Sequence, residues 1–161
     1  MNTALAPLST RTCNPKQRSG ALHLTQKVDY GLILLTSLAK DKNQASIKKI
    51  AEESSVSFLF LQKIAGLLQK AGMIKAERGK FGGYSLNGDL KDYNLGQVIE
   101  ALEGPIAIVP CLNRLNKVTC KRFGFCTIRP SFAKINKEIQ DIITTKTLDN
   151  FITAGLRKKT L

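Results

Sequence analysis

Between residues 46 and 86 the chain places two short apolar-periodic segments, a three-residue turn and a glycine-rich basic hairpin in immediate succession, an order that few folds accommodate. Ile47, Ile50 and Ala51 share one face of a short helix over residues 47–53, with Ser46 placed as its N-cap. Ser54, Ser55 and Val56 form a turn. Ser57 can cap the next helix, which runs to Lys70 with Leu61, Ile64, Leu67 and Leu68 inward and Gln62, Lys63, Gln69 and Lys70 outward. Gly72 stops that helix. Residues 73–77 and 84–86 then read as strands flanking Arg78-Gly79-Lys80-Phe81-Gly82-Gly83, a hairpin, or wing. The fold class implied is mainly α with a small β-hairpin, a winged helix-turn-helix.

The flanking segments complete this unit. Val28, Leu32, Leu35 and Ala39 recur at helical steps and define a first helix over residues 24–39. Asn94 with Gln97 three residues on makes a capping-box start for a helix over residues 95–103, closed by Gly104-Pro105. Residues 106–126 read as an irregular loop that carries three cysteines. Phe132, Ile135, Ile139, Ile142 and Ile143 mark a longer helix from about Pro130, and Thr147 can cap a short one through Phe151 and Ile152. Such an apolar helix after a complete small domain is expected to pack on a partner subunit, the alternative being the first helix. The organisation expected is a basic, disordered tail at 1–21, a DNA-binding unit at 22–105, a cysteine loop at 106–127, a dimerisation region at 128–153 and a basic tail at 154–161.

Charge narrows the partner. The 161 residues hold 25 Lys and Arg against 12 Asp and Glu, a formal +13, which attracts polyanions at long range. Nucleic acid leads, ahead of anionic lipid and ribosomal association. No apolar run reaches the roughly 20 residues that cross a bilayer, so no membrane span is expected. The start has no signal-peptide pattern, which points to the cytoplasm. The acid-poor residues 1–21, with Arg11, Lys16 and Arg18, are expected to be a solvated extension with at most weak phosphate contact, and only faintly resemble a transit peptide.

In a winged helix-turn-helix the second helix of the pair enters the major groove and the wing touches backbone or minor groove. Ser57, Gln62 and Lys63 are therefore candidate DNA contacts, Gln62 for adenine and Lys63 for guanine or phosphate. Arg78 and Lys80 supply wing charge, with Gly79, Gly82 and Gly83 permitting positive backbone angles and close approach to phosphate. Winged helices that dock proteins would use the same cations as plain solvated surface.

Cys111, Cys120 and Cys126 are separated by eight and five residues, while Cys13 stands apart in the tail. Three thiolates on one loop can share an inorganic centre. The gaps do not fit paired zinc hooks, and the single histidine, His23, is distant in sequence. An iron-sulfur cluster tolerates wider gaps, and Lys117, Lys121 and Arg122 would favour thiolates and offset its charge. Zinc, a thiol redox switch and plain structural cysteines remain the alternatives on spacing alone. No nucleotide loop, paired catalytic acids or Ser/His/Asp set is present to suggest an enzyme or electron carrier using the same cluster.

Several stretches in this order resemble the Rrf family of bacterial iron-sulfur transcriptional regulators, which includes IscR-like, NsrR-like and SUF-operon regulators. They are Leu24-Thr25, Asp29-Tyr30-Gly31, Arg78-Gly79, Gly82-Gly83-Tyr84, residues 98–105 (Val-Ile-Glu-Ala-Leu-Glu-Gly-Pro), the three cysteines, and Thr147-Leu148-Asp149. The resemblance implies a homodimer on double-stranded DNA, with crossed C-terminal helices and a cluster in each subunit held by Cys111, Cys120, Cys126 and one further ligand. IscR-like members place a histidine three residues after the last cysteine; Arg129 stands there. NsrR-like members use an aspartate of the other subunit's first helix, and Asp29 matches it, although an acid there also suits the helix dipole. Gly104-Pro105-Ile106-Ala107-Ile108 and Ile128-Arg129-Pro130 are most similar to the SUF-operon subtype. The resemblance implies transcription regulated by iron-sulfur status, redox or nitric oxide; the competing expectation is a constitutive winged-helix regulator with zinc or no metal.

Overall fold

The described residues form five α-helices and one hairpin. In the computed structural model, residues 23–40, 45–77, 82–113, 115 and 120–150 are described. The elements are α1 (Gln26–Lys40), α2 (Ile47–Ser54), α3 (Phe58–Lys70), β1 (Ile74–Glu77), β2 (Gly83–Leu86), α4 (Leu95–Glu103) and α5 (Arg129–Thr145), with 3-10 turns at Leu90–Asp92 and Pro110–Leu112. β1 and β2 pair antiparallel, with Ile74 opposite Leu86 and Glu77 opposite Gly83. The strands thus begin one residue later and one earlier than the sequence predicts, and α5 takes in Arg129 ahead of Pro130. The tails, Cys13, the wing tip with Arg78 and Lys80, and Phe151 and Ile152 lie outside the described residues.

The core forms where α1, α3 and α4 meet. Leu34, Leu35, Leu61, Ile64, Leu68 and Val98 are fully buried there, each contributing about 1.5–3 kcal/mol of hydrophobic stabilisation. Gly31 sets the α1–α4 distance, because a Cβ on it would lie 2.5 Å from Leu102 Cδ1. Since α1 is covered by both α3 and α4, its buried arc is wider than one stripe and centred differently from the expected one. Leu34 and Leu38 join Val28 and Leu35 inside, while Leu32 and Ala39 are only half-buried. On α3 the fourth core position is Ala65, and Leu67 faces out.

Ser46 and Ser57 stand at the expected N-cap positions of α2 and α3. Neither Ser46 nor Ser57 makes a side-chain capping bond. Ala45 is already tied to Tyr84 by reciprocal 3.0 Å hydrogen bonds, which fix the entry to α2 without a serine hydroxyl. Between α2 and α3, Ser55 takes the left-handed conformation at φ 55°, and Val56 N donates to Ala51 O at 3.0 Å, closing α2 in a Schellman-like turn.

The expected capping box on α4 is present in full: Gln97 N donates to Asn94 Oδ1 at 2.9 Å, and Asn94 N donates to Gln97 Oε1 at 2.8 Å. Gly104, at φ 89°, ends the helix as expected. α5 packs on α4 at Gly96, where a Cβ would meet Thr144 Cγ2 at 2.9 Å. Beyond α5 the chain returns to the core: Leu95 N donates to Lys146 O, Leu148 N donates to Tyr93 O, and the Leu148 side chain is 1% exposed. Asn94→Ala removes the Oδ1 acceptor of the box while keeping the backbone donor, and is expected to lower unfolding free energy by about 1 kcal/mol, read from the denaturation midpoint at unchanged m-value.

Candidate nucleic-acid interface and cysteine loop

One face of α3 is occupied by the core, so the other is necessarily presented outward. Ser57, Gln62 and Lys63 are all exposed there, as are Phe58, Leu59, Gly66, Gln69 and Lys70. α2 lies across the start of α3, and Tyr30 of α1 meets Phe60 edge-on at 5.7 Å between ring centroids. These contacts hold α3 rigidly under its exposed stripe. β2 packs on α1, which fixes the base of the hairpin beside α3.

Gly83 has a different reason to be glycine from the one expected. It is not among the positive-φ glycines of the described residues, which are Gly72, Gly88 and Gly104. A Cβ at Gly83 would instead lie 2.7 Å from the Ala45 carbonyl oxygen. The residue lets β2 press against the strand-like entry to α2, a structural contact within the protein. Nearby, Lys91, hydrogen-bonded to Asp89, and Tyr93, desolvated by burial, are both held above their ordinary pKa. The Tyr93 hydroxyl donates to the Asn87 carbonyl.

The cysteine loop hangs between α4 and α5. Cys111 sits in the 3-10 turn Pro110–Leu112, Cys120 opens a run of turns in which Phe123 N donates to Cys120 O at 2.9 Å, and Cys126 lies just ahead of α5. All three thiols are free and half-buried. Among the described residues no three Cys, His, Asp or Glu side chains converge to hold one metal ion, and Asp29, exposed in the first turn of α1, does not complete such a group. The donors are thus of the right chemistry for a thiolate-bound cluster, although among the described residues they are not gathered at one point.

Residues absent from the sequence expectations fix this loop. Asn136, 7% exposed, accepts from Ile108 N at 2.8 Å and donates to Ile106 O at 3.3 Å, and Gln140 Nε2 donates to the same carbonyl at 2.7 Å. Their signal was available: Asn136 stands four residues after Phe132 and three before Ile139, a polar side chain on an apolar helix face. Arg129 lies with its guanidinium 4.3 Å from the Phe123 ring centroid and shares with Cys111 and Lys137 a cavity of about 530 Å³. On the other side, Lys27 Nζ donates to Leu102 O at 2.6 Å and pairs with Glu103 at 3.3 Å, tying the first turn of α1 to the end of α4 where the loop begins.

A family model described as Rrf2, iron-dependent transcriptional regulator, matches residues 24–154. The chain belongs to the Rrf2 family. An HTH-type, rrf2-like regulator of Rhodobacter capsulatus is 35% identical over 140 residues, covering 82% of this chain and 93% of that protein. Among solved structures, T. potens IscR superposes with a TM-score of 0.68 at 27% identity, covering 87% of this chain and 93% of that one. CymR, the global cysteine regulator of B. subtilis, gives 0.64 at 28% identity, covering 83% and 98%. The chain is therefore a winged-helix transcriptional regulator and not an enzyme. No helix of the described residues is long and apolar enough to cross a membrane. Gly83→Ala is expected to destabilise this Rrf2-family fold by about 1–3 kcal/mol through overpacking, seen as a lowered melting temperature in circular dichroism.

Proposed function

We propose that this Rrf2-family regulator binds double-stranded DNA as a homodimer, with an affinity set by an iron-sulfur cluster on Cys111, Cys120 and Cys126. The observation that carries the reading is the anchored loop. Three free, half-buried thiols sit on a segment that Asn136 and Gln140 tie to α5 and that runs directly out of α4. Drawing those thiols together moves a segment already bonded to the two helices flanking it. The family description as iron-dependent and the resemblance to iron-sulfur regulators both support this ligand set. Asp29 of the partner subunit is the proposed fourth ligand.

DNA contact is assigned to Ser57, Gln62 and Lys63 on the exposed stripe of α3, and to Arg78 and Lys80 at the wing. Gln62 reads adenine, Lys63 guanine or phosphate, and the wing cations neutralise backbone. A bound cluster supplies a redox-labile centre that oxygen, nitric oxide or iron shortage can dismantle. The chain supplies the linkage: a rearrangement of the loop between α4 and α5 shifts α5 against its partner, and so the spacing of the two reading heads. The effect on DNA affinity equals the difference in cluster affinity between the two arrangements.

Dimerisation is proposed through the outer face of α5. Ile128, Ile135 and Ile142 are 60%, 46% and 63% exposed and recur every seven residues, the spacing of a helix–helix seam. Ile135→Glu with Ile142→Glu is expected to shift the protein from dimer to monomer in sedimentation velocity, while its helical circular dichroism persists.

Anaerobic purification with iron and sulfide analysis tests the sensing half. Bound iron and acid-labile sulfide are expected in the wild type and their loss in each Cys→Ala variant, together with a change in operator affinity of roughly 5–150-fold, the span of ordinary coupling energies. Metal-free protein whose cysteine variants bind operator unchanged would establish the constitutive regulator instead, and zinc in place of iron would replace the cluster.

A further inference from the structure

Two side chains at the start of α3 have no place in the core and no role in the contacts assigned so far. Leu59 is 67% exposed and Phe58 44% exposed. Leu59 stands three and four residues before Gln62 and Lys63, so the three side chains form one outward stripe, which continues through Gly66 to Lys70. A single exposed leucine is ordinary on a protein surface. What sets this one apart is the glycine further along the same stripe.

Gly66 is exposed, and a Cβ built on it would meet nothing within 4 Å. Glycine inside a helix is destabilising, and here no internal neighbour requires it. A bare backbone therefore faces outward between Lys63 and Lys70. The stripe offers, in order, an apolar tip, an amide, a cation, a bare patch and a second cation. The flanking cations suit a polyanion, and the apolar group that a duplex displays on its major-groove edge is the thymine 5-methyl.

We propose that Leu59, flanked by Phe58, contacts a thymine 5-methyl group in each half-site, and that Gly66 lets α3 seat close to the duplex so that this contact forms. The inference rests on the reading of α3 as the recognition helix. It adds an apolar specificity contact to the polar ones of Gln62 and Lys63.

The experiment uses full-length protein purified anaerobically and duplexes selected by it from a random pool. Each thymine of a selected half-site is then replaced by deoxyuridine, which removes only the methyl group. At one thymine per half-site, wild-type affinity is expected to fall about fourfold, the effect of taking one buried methyl from an apolar contact. Leu59→Ala and Leu59→Gln, both with wild-type melting curves, should bind the thymine and uracil duplexes equally. A flat uracil series for the wild type, selected sites without thymine, or variants that still lose the full factor would overturn the proposal. Gln62→Ala and Lys63→Ala, run on the same pool, separate the two levels. Altered base preference or affinity with a flat uracil series removes only the role of Leu59, whereas no change in either variant removes the recognition-helix reading itself.

Discussion

The outward chemistry of this protein is oriented by what α3 buries. Leu61, Ile64, Ala65 and Leu68 are 0–1% exposed, and their packing on α1, α2 and α4 leaves α3 one rotational setting about its axis. Turning the helix by a single residue would carry Gln62 or Lys63 into the core, where an unpaired amide or ammonium is strongly disfavoured. The close approach of α1 and α4 at Gly31 fixes the floor on which α3 rests. The exposed stripe of α3 and the hydrophobic core are thus two faces of one constraint.

The cysteine loop is governed by different forces. Few apolar side chains pin it, and its exposed Phe125 and Leu115, each 74% exposed, add no burial. What fixes its first residues is a pair of amide side chains from α5 satisfying the backbone of Ile106 and Ile108. Hydrogen bonds of this kind are directional and individually modest, contributing about 0.5–1.5 kcal/mol each. A segment held in this way can be rearranged by a ligand without disturbing the core behind it. IscR and CymR share this architecture.

How far the sequence could be read depended on whether the governing contact was local. The α4 capping box lies within four residues, and Asn94 and Gln97 form it as the spacing predicts. Gly72 and Gly104 end their helices for an equally local reason. Ser46 and Ser57 carry the same kind of signal and take the N-cap positions but make no side-chain capping bond; at the entry to α2 the distant Tyr84 backbone holds Ala45 instead. The rotation of the α1 core from Leu32 and Ala39 toward Leu34 and Leu38 required knowing that two helices flank it. The sequence predicts a positive backbone angle at Gly83; its neighbour in the fold, the Ala45 carbonyl, is 38 residues away in sequence. At the site, the exposed positions of Gln62 and Lys63 follow from periodicity, and Asn136 stands out as a polar side chain on an apolar face, whereas its backbone partners Ile106 and Ile108 are visible only in the fold.

The return of the chain after α5 has a mechanical result. With Leu148 plugged into the core and backbone bonds on either side of Thr147 joined to the start of α4, the far end of α5 is riveted to the domain that carries α3. Such a lever has little freedom to pivot at that end. A displacement of that end of α5 would therefore carry the start of α4 along with it.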